Sequence, residues 1–204
     1  MKRAVRPVRK MMRQAQQILV LGSLALLGAG GCFARDQQAA KASPEDVAGF
    51  KEFSANVQRY VDLHKRLEKS LPKLKNNASP ELIASHQQAL AKKIQAARGN
   101  ARDHDIFVPK AAKAFRDAID REFQGSLARN ARATIQQGDP LKDVQVEVNQ
   151  IYPRGLAYTS VPPTLLLKFP KLPEELAYRI VDHDLLILDL KANLVVDVLR
   201  EVLP

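Results

Sequence analysis

The chain has 204 residues, with 32 Lys and Arg against 22 Asp and Glu, one cysteine and no tryptophan. A single cysteine excludes an intramolecular disulfide framework. Six of the basic residues and none of the acids lie in the first 31 positions, so the remainder carries 26 basic and 22 acidic residues. That balance is too even for the basic stripe of a dedicated nucleic-acid binder, and aromatic and basic side chains do not interleave as a base-stacking platform requires.

The N-terminus has the order of a secretion signal. Lys2, Arg3, Arg6, Arg9, Lys10 and Arg13 precede an apolar run from Ile18 to Ala29, and Gly28, Ala29, Gly30 and Gly31 follow as small residues. Charged, apolar and small-residue segments in that sequence mark an export signal. The run is shorter than the about 20 residues a membrane-crossing helix needs. Ala29-Gly30-Gly31-Cys32 resembles a bacterial lipobox, which implies that Cys32 is lipidated and becomes the new N-terminus. The alternative is ordinary cleavage after Ala34, with Cys32 discarded. Residues 1–31 are thus expected to be a signal peptide and 32–43 a polar, alanine-rich tether.

A helical region is expected over 44–137. Ser43-Pro44-Glu45-Asp46 is a helix start: a capping serine, proline at the first turn, and acids where the helix dipole favours them. Phe50, Phe53, Val57, Tyr60, His64, Leu67 and Leu71 then recur at helical spacing, and Pro72 ends the pattern. Ser79-Pro80-Glu81 starts a second helix with Ile83, His86 or Gln87, Leu90, Ile94 and Ala97 on one face, closed by Gly99-Asn100. A third helix fits 109–136, from Pro109 to the stop at Gly138-Asp139-Pro140, and Gly125-Ser126 is a point where it can be interrupted.

The period changes after 143. Val144, Val146 and Val148 alternate with polar residues, which predicts a half-buried strand. A connection with Pro153, Pro162, Pro163, Pro170 and Pro173 follows, carrying Leu165-Leu166-Leu167 and Phe169. Ala177–Val181 and Leu185–Leu188 flank Asp182-His183-Asp184 and predict a β-hairpin. Asp189 is placed to cap a terminal helix with Leu190, Leu194, Val195, Val198, Leu199 and Val202 on one face. The expected fold is α+β: a helical hairpin plus a third helix, then a small unit over 144–204, packed on the helices, with a β-hairpin and a terminal helix.

Tyr152-Pro153, Thr159-Ser160-Val161-Pro162-Pro163, Leu165-Leu166, Leu172-Pro173-Glu174-Glu175-Leu176, Tyr178-Arg179, Asp184-Leu185, Asp189 and Ala192-Asn193-Leu194-Val195-Val196-Asp197 form an ordered set. Together with Leu63–Glu68 and Asp105–Pro109 upstream, the set resembles a family of exported bacterial proteins of unknown function. The resemblance implies export but no activity. The chain departs from that pattern at Asp182-His183, where glycine is expected, and at His104, where a small residue is expected.

Several constellations are candidates for chemistry. His64 and His86 lie on the apolar faces of the first two helices, each eleven positions from Lys75, so a hairpin would set them at similar height. Imidazole is a common metal ligand, but a site needs three or four ligands. The competing reading is a pair of boundary histidines that pack by their rings. Asp103-His104-Asp105 and Asp182-His183-Asp184 would make a mixed carboxylate–imidazole site if they met, although aspartate is also common in turns. Tyr178, Arg179 and Asp189 either line a cleft or serve the hairpin. Leu166 and Phe169 either cover the domain's own sheet or offer an apolar ridge to a partner. The sequence has no nucleophile elbow, phosphate loop or zinc-protease helix motif, and no catalytic residue or cofactor is assigned.

Three functional readings follow. The first is a non-enzymatic binding or structural protein of the cell envelope, anchored by lipid at a membrane and facing the periplasm, or periplasmic if Cys32 is not lipidated. Its partner would be another envelope protein or an anionic envelope polymer. The excess positive charge on 35–143, with 20 basic and 14 acidic residues, fits either a solvated face or such a polymer. The second reading is a periplasmic metal-binding protein using His64 and His86. The third is a cell-wall hydrolase.

Overall fold

The computed structural model describes residues 43–124, 146–153 and 155–203. Three helices come first: α1, Pro44–Lys69; α2, Pro80–Ala97; and α3, Pro109–Gln124. A single-turn helix, α4, spans Pro163–Leu166. Three strands close the chain: β1, Leu176–Val181; β2, Asp184–Asp189; and β3, Leu194–Leu199. They form one antiparallel sheet in the order β1-β2-β3, and the fold is α+β.

The helix starts follow local chemistry. Ser43 accepts the Asp46 N–H at 3.0 Å while the Asp46 carboxylate accepts the Ser43 N–H at 3.0 Å, a reciprocal cap that satisfies two otherwise orphaned donors. Ser79 caps α2 through Leu82 N–H at 3.3 Å. α1 lies chiefly on α3 rather than on α2. The two run antiparallel and close together: a Cβ on Gly49 would sit 2.5 Å from the Lys110 carbonyl oxygen, so only glycine fits there. Residues 125–136 of the expected third helix, including Gly125-Ser126, lie outside the described residues.

The terminal helix does not form. Residues 194–199 are β3, buried at every position. Asp189 caps a turn instead, with Oδ1 accepting the N–H groups of Lys191 and Ala192 at 3.0 and 2.8 Å. The physical reason is that a strand covered on both faces loses its period of two, so its apolar positions also satisfy a helical spacing. Val195, Val196 and Val198 are β-branched and suit the strand.

The strand expected near 144–148 is also corrected over its described part. Val146 and Val148 are buried and Glu147 is exposed, as the alternation requires, but the segment forms no ladder there. It runs instead beside the outer edge of β3. Asn149 N–H donates to Val195 O at 2.8 Å, Val195 N–H to Gln150 O at 2.9 Å, and Tyr152 N–H to Asn193 O at 2.8 Å. Thr159 does the same for β1 by exchanging backbone bonds with Ile180 at 2.8 and 3.0 Å. Each sheet edge is thereby paired over part of its length, which limits its pairing with other chains.

The helix-facing side of the sheet joins the helices in one apolar cluster. It includes Phe53, Phe107, Phe115, Phe169, Tyr178, Ile180, Ile187 and Val196. The opposite side carries Leu186, Leu188, Val195 and Val198, covered by Val146, Val148 and Tyr152. β3 changes register between Ile187 and Leu188 of β2, so that Ile187 faces Asp197 while Leu188 faces Val195. Val196 is the extra residue of this bulge. Such a bulge re-aims a side chain: Asp197 shares the helix-facing side with Ile187 instead of alternating away from it.

Candidate functional site

Two aspartates with no solvent exposure stand on that helix-facing side, at the end of β2 and in the middle of β3. Asp189 meets α1. Tyr60 Oη donates to Asp189 Oδ2 at 2.7 Å, and His64 Nδ1 lies 2.5 Å from the same oxygen. One α-helical turn separates the two residues, so both project from the same face of α1 onto one carboxylate. Burial first, and then the Asp189 charge, push the Tyr60 hydroxyl well above its ordinary value, which keeps it a neutral donor. Arg98, on the first residue after α2, stacks 5.2 Å above the Tyr60 ring. Its two terminal nitrogens each donate to Val196 O at 3.0 Å. The bulge is what frees that carbonyl from the ladder.

A charged rim surrounds this group. Lys191 Nζ reaches Glu68 at 2.9 and 3.0 Å, and Lys65 Nζ reaches the buried Glu175 at 3.1 Å. His64 Nε2 is buried without a hydrogen-bond partner and faces Glu68 Oε2 at 3.6 Å. A histidine–carboxylate pair is half of the arrangement that activates a nucleophile. Here the imidazole is fully buried, so it presents no nitrogen to a substrate arriving from solvent. What the cluster does physically is fasten α1 to the end of β2.

Asp197 meets backbone instead. Oδ2 accepts the N–H groups of Ile106 and Phe107, both at 2.7 Å, and Oδ1 accepts those of His104 and Val198 at 2.9 and 2.8 Å. Burial raises its carboxyl above the ordinary value despite these four donors. The loop ahead of α3 is thereby pinned to β3. His104 adopts φ 72° in that loop, and Asp182 adopts φ 54° in the hairpin turn. Both residues are thus left-handed, the conformation that favours glycine.

The sequence candidates are distributed as follows. Cys32 lies outside the described residues. His64 turns to Asp189, while His86 is half-buried and has no hydrogen-bond or ion-pair partner among the described residues. The Asp-His-Asp triplets do meet, through Arg200. Its Nε donates to Asp103 Oδ2 at 2.7 Å and its Nη1 to Asp184 Oδ2 at 3.0 Å. The histidines stay out of this contact: His104 is exposed and His183 Nδ1 lies 2.9 Å from Leu203 O. Among the described residues, no group of three or more His, Cys, Asp or Glu is placed to hold a metal ion.

Tyr178, Arg179 and Asp189 do not line one cleft. Tyr178 is buried and donates to Pro170 O at 2.9 Å, Arg179 stacks 4.7 Å above Tyr158, and Asp189 belongs to the α1 junction. The proline-rich connection divides its apolar residues. Leu165 and Phe169 are buried, Phe169 at 4.7 Å from the Phe115 ring, while Leu166 is 46% and Leu167 88% exposed. Sequence reasoning missed the partnership of His64 with Asp189, 125 positions away, and the bridging role of Arg200. The one usable signal was a histidine on an otherwise apolar helix face, which demands a buried polar partner.

Compared with family models, curated proteins and solved structures, the chain matches none. No helix among the described residues is long and apolar enough to cross a membrane.

Proposed function

We propose that this is an exported envelope protein, anchored by lipid at Cys32 and facing the periplasm, whose folded part binds another envelope component and catalyses no reaction. The observation that carries the reading is the order of the first 32 residues: six cations, an apolar run, small residues, and the sole cysteine. Ten residues separate that cysteine from Ser43, where the first helix is capped. A modification site followed by a short polar tether and a folded unit is the layout of a surface-anchored module. The C-terminal resemblance to exported bacterial proteins supports the same reading.

The buried carboxylates serve the fold. Asp189, Asp197, Glu175 and Glu122 are buried, and each is engaged by groups of the chain itself: His64 and Tyr60, backbone N–H groups, Lys65, and Lys168. Carboxylates spent in this way hold the fold together. The partner classes that fit are a second envelope protein or an anionic envelope polymer, the latter because the helical half carries the excess of cations.

Replacement of Cys32 by serine tests the reading. Acyl labelling should be lost and the protein should leave the membrane fraction. Several acyl chains hold far more tightly than one, so the release should be large. A wild-type chain that takes up no acyl label, together with unchanged membrane association of the variant, contradicts the proposal.

A further inference from the structure

The strongest surface feature is the turn at Leu166-Leu167. Leu167 is 88% exposed, the most exposed large apolar side chain among the described residues, and Leu166 is 46% exposed. Exposure here does not come from a loose loop. Leu167 N–H donates to Pro163 O at 3.1 Å, Lys168 and Phe169 N–H donate to Leu165 O at 2.9 and 3.1 Å, and Leu165 and Phe169 are anchored in the core. Pro162, Pro163, Pro170 and Pro173 fix φ on either side. The fold therefore holds two leucines out into solvent on a rigid turn. Lys168 and Lys171, both exposed, follow them.

The turn is linked through α3 to the start of α1. Asp46, in the first turn of α1, pairs with Arg121 of α3 at 2.9 Å. Glu122, the next residue of α3, pairs with Lys168 Nζ at 2.5 Å, and Lys168 adjoins Leu167. Two ion pairs, on neighbouring residues of α3, thus link the capped start of α1 to the leucine turn. Ten tether residues span at most roughly 35 Å when fully extended. The opposite end of α1 lies about 39 Å further along its axis, at 1.5 Å per residue. A bilayer that holds a lipid on Cys32 therefore lies within the tether's reach of Ser43.

We infer that Leu166 and Leu167 dip into the interface of the bilayer that holds the Cys32 lipid, with Lys171 at the level of anionic phospholipid headgroups while Lys168 stays on Glu122. This inference rests on the lipid-anchor reading above. A rigid apolar turn beside cations has the chemistry of an interfacial contact: leucine gains by leaving water, and lysine gains from the negative surface potential. Because the turn is already ordered, docking costs little conformational freedom. Together with the acyl anchor it would orient the module, turning the far end of the helical hairpin, with Leu82, away from the membrane.

The chain has no tryptophan, so a single reporter has no background. Leu167→Trp is placed in the full chain, reconstituted into vesicles of phosphatidylethanolamine and phosphatidylglycerol, with and without bromine-labelled acyl chains. A second reporter, Leu82→Trp, sits on an exposed position in the first turn of α2. The expected result is a blue-shifted emission for Leu167→Trp, quenched by the brominated lipid, and a water-like, unquenched emission for Leu82→Trp. Acylated, vesicle-bound protein in which Leu167→Trp stays water-like overturns the inference and leaves the anchor standing. An apolar but unquenched emission also overturns it, since a second copy of the chain would then cover the turn. Quenching of both reporters overturns it in favour of a module lying flat. The intact mass of the same sample separates the two readings: a chain without acyl mass sinks the anchor reading and this inference with it.

Discussion

Asp189 and Asp197 are the same residue type on the same side of one sheet, both without exposure, yet they are compensated differently. Asp197 has only main-chain donors: three from the loop before α3 and one from its neighbour. Asp189 divides its oxygens, one for the turn after β2 and one for Tyr60 and His64 of α1. The difference teaches what each junction tolerates. Backbone donors cannot become acceptors, so Asp197 has no substitute that satisfies all of them. A hydroxyl and an imidazole can reverse roles, so Asp189 can be replaced by a group that donates on one side.

The largest expected effect is therefore Asp197→Ala. It strands three loop N–H groups in the interior, each worth about 1–3 kcal/mol when left unpaired. A loss of at least about 3 kcal/mol is expected, or roughly 6–12 °C in Tm for a chain of this size. Thermal unfolding followed by circular dichroism measures it, and a loss under about 1 kcal/mol would erase the distinction between the two aspartates.

Asp189→Asn should cost less, about 1–2 kcal/mol, because the amide oxygen can keep the Lys191 and Ala192 bonds while its NH2 faces Tyr60 and His64. Tyr60→Phe should cost about 1 kcal/mol, the net worth of one hydrogen bond. Urea titration of both variants checks the order. Equal losses for Asp189→Asn and Asp197→Ala would mean that the side-chain donors are as inflexible as the backbone.

The pH dependence sharpens the comparison further. Burial lifts the Asp197 carboxyl above its unfolded value, so the folded chain holds that proton to higher pH than the unfolded chain. Its contribution is thus most favourable below the unfolded carboxylate pKa and declines as pH rises through the window up to the raised folded value. Asp46, Glu122 and Glu175 have the opposite sign. Their hydrogen bonds and cationic partners, Arg121, Lys168 and Lys65 respectively, outweigh burial and depress their carboxyls. Their stabilisation is present above the unfolded pKa and is lost as pH falls through the folded values. Denaturation of the wild type and Asp197→Asn across the acid range should show the variant losing the declining component and keeping the acid loss. A variant whose pH profile parallels the wild type contradicts the assignment.

The smallest effect is a gain. His104 presents its N–H to Asp197 while holding φ 72°, so His104→Gly keeps the bond and relieves the left-handed strain. Stability should rise by up to about 1 kcal/mol. Destabilisation instead would show that the imidazole contributes more than its geometry suggests.

These junctions explain how far the sequence could be read. Ser43-Pro44-Glu45-Asp46 and Ser79-Pro80 announce α1 and α2 because a cap is a local event, decided by residues three apart. The β1–β2 hairpin was legible because its apolar runs flank a polar turn. The third strand was not: coverage on both faces removes its period, and a bulge at Val196 breaks what remains. The partners of His64 and of the two Asp-His-Asp triplets were hidden for another reason. Asp189 and Arg200 reach them only after the sheet docks on the helices, and nothing near His64 or Asp103 in sequence encodes that distance. Leu166 and Phe169 were found as a pair but separated by the fold, one to the surface and one to the core.

The proposed anchoring of the folded module by a lipidated Cys32 is tested most directly by the intact mass of the chain extracted from cell membranes. The expected spectrum is a single species beginning at Cys32 and heavier than the polypeptide by a diacylglyceryl group with or without a further acyl chain. A species that retains residues 1–31, or one that begins at Arg35 with no lipid mass, would contradict it.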